Sequence, residues 1–86
     1  MTLLAFATFD EVAGVFGSPV FCANKGLAVR AFQDACAQKS SPLYSHASDY
    51  KLYHIGEFDT VTGALTSCPQ PVFMHNAVEF KEVGNG

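Results

Sequence analysis

Tyr50-Lys-Leu-Tyr-His-Ile-Gly-Glu-Phe-Asp59 is the stretch on which the fold turns. It is rich in aromatic and β-forming residues and reads as a strand, with Gly56 marking a bulge inside it. Asp59-Thr-Val-Thr-Gly63 follows as a hairpin connection, Gly63 supplying the positive φ that such loops need. Ala64 to Ser67 is the expected return strand. Pro69-Gln-Pro71 should break the pairing, after which Val72–Met74 and the stretch from Ala77 to Val83 read as further edge strands.

Upstream, Asn24 is placed to cap a helix over Lys25–Gln38. Leu27, Ala28, Ala31, Phe32, Ala35 and Cys36 recur at helical spacing and form its core-facing stripe. Lys39-Ser-Ser-Pro42 ends it, and Leu43–Asp49 reads as a loop. The N-terminal run Leu3–Phe9 is apolar on both faces, Leu4 and Phe6 on one and Leu3, Ala5 and Phe9 on the other, as in an interior strand. Asp10–Ser18 is a connection, and Pro19–Ala23 a second short strand. The order strand, strand, helix, strand, strand predicts an α+β fold: one small, mostly antiparallel sheet of four to five strands with one helix on one face. Residues 1–83 form a single domain in this reading, and 84–86 a frayed tail. A helix of about 14 residues is about 21 Å long and covers one sheet face only. The other face is expected to carry apolar surface that a partner covers.

Composition agrees with a folded, sticky domain. The 86 residues are 49% hydrophobic and only 15% charged, with eight Phe, three Tyr and no Trp. Disorder, collagen-like repeats and a charged coiled coil are excluded. The net charge is −3, and Lys25, Arg30, Lys39, Lys51 and Lys81 are scattered, which argues against tight, sequence-independent binding of a phosphate backbone. Three cysteines, an odd number without close spacing, fit free thiols in a reducing cytoplasm better than a disulfide scaffold. The apolar start is too short for a membrane span and lacks a basic leader, so the chain is expected to keep its N-terminus and to have no membrane contact.

Little of the sequence points to catalysis. The three histidines and three cysteines lack close ligand pairs, so neither a metal nor a cofactor is expected. A Cys–His nucleophile would have to assemble in space; Cys68, beside Pro69, is the cysteine expected at the surface, and no flanking motif supports it. Glu57 and Asp59 share a strand face but read as the solvated end of a hairpin. Gly14-Val-Phe-Gly17 leads into Ser-Pro and a strand, not into a phosphate-binding helix. One pattern is suggestive: Tyr50-Lys51-Leu52-Tyr53 interleaves rings with a cation, the combination that holds single-stranded nucleic acid by stacking.

Three stretches together resemble one family: Asn24–Phe32 (K-G-x-A-x-R-x-F), Asp49–Asp59 (D-Y-x-L-Y-x-I-G-x-F-D) with Thr62-Gly63, and Ala77–Phe80. In this order they resemble the small non-structural protein of gokushovirus-type microviruses, bacteriophages with circular single-stranded DNA. The resemblance spans nearly the whole chain. It implies a non-enzymatic protein of the host cytoplasm, acting on single-stranded DNA or on the replication and packaging machinery. Lys25, Arg30, Lys51, Tyr50 and Tyr53 occupy its motif positions and are the candidate DNA contacts. The expected partners are other copies of the chain, as a homodimer or larger homo-oligomer, single-stranded DNA, or a replication or capsid protein. The alternative is an adaptor that docks such a protein without touching nucleic acid.

Overall fold

The computed structural model describes residues 1–81. They run β1 (Thr2–Asp10), β2 (Val15–Phe16), β3 (Val20–Cys22), α1 (Lys25–Ala37), α2 (Pro42–Ser45), a 3-10 turn at Ala47–Asp49, β4 (Tyr50–Asp59), β5 (Leu65–Asn76) and α3 (Val78–Lys81). All pairings are antiparallel, in the order β2-β1-β4-β5, with β3 also on β1. The expected α+β architecture is therefore present, with five strands. The tail expected over 84–86 lies outside the described residues.

β1 is central, and its two apolar faces serve two purposes. Leu4 and Phe6 point toward α1, where Phe6 joins Ala28, Phe32, Cys36, Ala47, Leu52 and Ala77 in the core. Phe6 is fully buried, which stabilises the fold by roughly 1.5–3 kcal/mol. Asn24 caps α1 as its sequence position predicts, its side chain accepting the Leu27 N–H at 2.9 Å. The buried stripe is narrower than expected: Ala28, Phe32 and Cys36 are buried, whereas Leu27 in the first turn is 41% exposed.

Four local expectations are corrected. Asp10–Ser18 is not only a connection: Asp10 ends β1, and Val15–Phe16 pair with it as β2. The stretch 43–49 is not an open loop: Ser41 caps α2, accepting the Leu43 N–H at 3.1 Å, and Pro42 sits at the first helical position, where its missing donor costs nothing. Pro69-Gln-Pro71 does not end the strand. β5 leaves the ladder over Cys68–Pro71, opposite Ile55 alone, and resumes at Val72. The two prolines fall where no ladder donor is required. Finally, the residues from Ala77 expected as an edge strand turn into α3, because Glu79 accepts the Asn76 N–H at 2.7 Å and closes a turn; residues 82–83 lie outside the described ones.

Candidate functional site

The sheet face turned away from α1 carries no helix among the described residues, and it is apolar. Strand alternation puts Leu3, Ala5, Ala7 and Phe9 of β1 on this side. A turn built by Asp10 brings Phe16 over Phe9. The Asp10 carboxylate accepts the Val12 and Ala13 N–H groups, its carbonyl accepts Gly14 N–H at 2.8 Å, and Gly14 takes φ +73°. Gly17 N–H then donates to Thr8 O at 2.8 Å, docking the two-residue β2 onto β1.

The result is a four-ring cluster. Phe9 lies 4.8 Å from Phe16, centroid to centroid, and Tyr53 lies 5.4 Å from Phe16 and 5.8 Å from Phe73. The contacts are edge-on or tilted, so ring faces and edges remain open to solvent: Phe16 is 41% and Phe73 48% exposed. At the far end of the same face Phe21 packs on Phe58 at 5.9 Å. Beside them Ala5, Pro19, Phe21, Ile55 and Leu65 line an open apolar depression of about 250 Å³.

The five residues expected to contact DNA are divided by this geometry. Tyr53 is the centre of the ring cluster, and Lys51, opposite Phe9 in the ladder, lies on the same face. Lys51 is ion-paired with Glu11. Tyr50 points to the other side and packs against the core; burial, and then the carboxylates of Asp10 and Asp49, push its phenol above the ordinary value. Lys25 and Arg30 are exposed on α1, with the thickness of the sheet between them and Tyr53. Sequence reasoning missed Phe16 and Phe73 as members of the site. For Phe16 the signal was Gly14 and Gly17 bracketing a two-residue strand; for Phe73, the Pro-containing excursion hid the alternation.

The acidic and nucleophilic side chains are largely engaged elsewhere. Asp59 accepts the Val61 and Thr62 N–H groups of the hairpin turn, which hold its carboxyl below the ordinary value. Gly63 takes φ +78° there, as expected. Glu79 is likewise held low, first by the Asn76 N–H and then by His75. Cys68 Sγ comes within 3.8 Å of His54 Nδ1, a pairing that no sequence spacing announces. Among the described residues no three His, Cys, Asp or Glu side chains are grouped to hold a metal ion.

No curated protein and no solved structure matches this sequence. The family model described as Phage ORF5 protein does, over residues 3–80, which takes in every strand but the first residue of β1 and the whole ring cluster. By that match the chain belongs to the phage ORF5 protein family.

Proposed function

We propose that this phage protein is non-enzymatic, that it self-associates through its outer sheet face, and that the same face binds single-stranded DNA weakly. The observation that carries the reading is the half-exposed cluster of Phe16, Tyr53 and Phe73 with Lys51 on the same face. Rings on a sheet stack on bases whatever the sequence, at about 1–3 kcal/mol per base. Second copies and DNA compete for one surface, so bound oligonucleotide lowers the mass of the self-associated protein. The likeness to the gokushovirus-type protein supports a setting in a single-stranded DNA phage, in the host cytoplasm, during genome replication or the switch to packaging. No helix among the described residues is long and apolar enough to cross a membrane.

The test is a salt titration with a fluorescent oligonucleotide. With Lys51 on the same face as the rings and Lys25 and Arg30 on α1, the expected dependence is shallow, a slope of about −0.7 per phosphate neutralised. Tyr53→Ala should weaken binding about tenfold or more, whereas Lys25→Ala and Arg30→Ala should change it little. One observation favours a second reading, an adaptor that docks a replication or capsid protein: the Lys51 charge is already paired with Glu11. Absence of oligonucleotide binding at low ionic strength would remove the DNA reading and leave the adaptor.

A further inference from the structure

Between the pairs His54–Val72 and Gly56–Ser67, β5 spends four residues where β4 spends one. This excursion carries Cys68 back against His54, Sγ to Nδ1 3.8 Å. The other ring nitrogen, Nε2, lies 3.0 Å from the Gly56 carbonyl. A carbonyl only accepts, so Nε2 carries the proton, and Nδ1 of the neutral ring presents its lone pair to the thiol. The ring also packs on the fully buried Phe6, centroids 5.3 Å apart, which fixes its orientation. Nucleophile, base and orienting group thus stand in sequence.

The other cysteines lack this arrangement. Cys36 is in the core, where burial pushes its thiol up to about 11. Cys22 is partly buried, as Cys68 is, but it packs against the core from β3 and has no hydrogen bond to a histidine among the described residues.

We propose that Cys68 is a base-assisted thiol, a site of mixed-disulfide formation with small disulfides. The Sγ proton passes to His54 Nδ1, and the thiolate attacks one sulfur of R–S–S–R. The Cys68–S–R bond forms as the S–S bond breaks. The leaving thiolate takes the proton from Nδ1 and departs as RSH, so Cys68 is oxidised, half of the disulfide is reduced, and His54 is neutral again. The structure also bears on which disulfides react. Glu57 lines the same open depression as Cys68, Thr66, Ser67 and Pro69, about 250 Å³ in volume, and among the described residues no cation lines it. The site therefore favours cationic or uncharged disulfides over anionic ones.

The experiment uses the full chain, reduced and folded near neutral pH, exposed to cystamine, with the modified cysteines mapped by peptide mass over time. Cys68 should react about tenfold faster than Cys22, and Cys36 should stay free. His54→Gln should bring Cys68 to the rate of Cys22. Glutathione disulfide, which is anionic, should react several-fold more slowly than cystamine, and Glu57→Gln should narrow that gap. Equal rates at Cys68 and Cys22 in the unaltered protein would overturn the proposal, and this comparison stands even if His54→Gln fails to fold. An unchanged Cys68 rate in folded His54→Gln would overturn it too, and glutathione disulfide reacting as fast as cystamine would overturn the selectivity.

Discussion

Gly56→Ala tests the joint on which the outer face is built. A Cβ at Gly56 would stand 2.5 Å from the Thr66 carbonyl oxygen and 3.2 Å from Ser67 Cα, both backbone atoms of the paired strand. No side chain can swing aside to admit it, so β4 and β5 must part at the register that also positions Leu65, Phe58 and the Cys68 excursion. Overpacking of this kind costs about 1–3 kcal/mol. A strained ladder bond adds about 0.5–1.5 kcal/mol. Against these, the stiffer unfolded chain returns about 0.4–1 kcal/mol. The net expectation is a loss of about 2–3 kcal/mol. In a domain of this size that lowers the melting temperature by roughly 8–24 °C. Gly17→Ala is the matched control. Its Cβ would meet nothing closer than Thr8 O at 3.7 Å, an ordinary contact, so it should leave stability unchanged or raise it slightly. Thermal melts followed by circular dichroism read both. A Gly56→Ala protein melting within about 2 °C of the unaltered chain would refute the steric reasoning.

Asn24→Ala removes the side-chain acceptor of the Leu27 N–H and should cost about 1 kcal/mol, read as a lower urea midpoint with an unchanged slope. Acid should weaken the fold in a defined window. Asp59 and Glu79 are held below their ordinary values of 3.8 and 4.5, so the stability they confer is fully present above those values and is lost as pH falls through the lower folded ones. Urea midpoints should fall between about pH 5 and about pH 3, and Asp59→Asn should flatten part of that fall; an identical slope in the variant would contradict it. Phe73→Asp, at an exposed ring, should leave the fold intact while abolishing whatever association the outer face makes, measured by sedimentation alongside circular dichroism.

Where side chains alternate without interruption, the sequence was legible. β1 could be read as two-faced because Leu4 and Phe6 alternate with Leu3, Ala5 and Phe9, and the structure turns those sets to opposite sides. Asn24 and Gly63 could be read because each meets a local need, a cap and a positive φ. The bulge expected at Gly56 falls beside it at Ile55, whereas the close approach of Gly56 to the Thr66 carbonyl has no sequence signal. Counting failed where the chain leaves its register. The excursion over Cys68–Pro71 shifts parity by an amount that no residue announces, so Phe73 could not be assigned to Tyr53, nor Cys68 to His54. The candidate site is split for another reason, one that strand alternation alone contains. Tyr50 and Tyr53 are three apart on a strand, hence on opposite faces, and only Tyr53 reaches the rings. Lys25 and Arg30 carried the family motif on a helix whose side of the sheet the sequence does not give. The turn at 77–81 depends on one carboxylate, Glu79, reaching back to a strand end, a contact that β-propensity does not foresee.

Sedimentation equilibrium, run from micromolar to about millimolar protein, bears most directly on the central claim that one sheet face of this domain is made to be covered. The weight-average mass should climb above 9.2 kDa with concentration, return to it in Phe73→Asp, and fall when single-stranded oligonucleotide is added. A mass that stays at 9.2 kDa across the range, with no oligonucleotide bound, would contradict it.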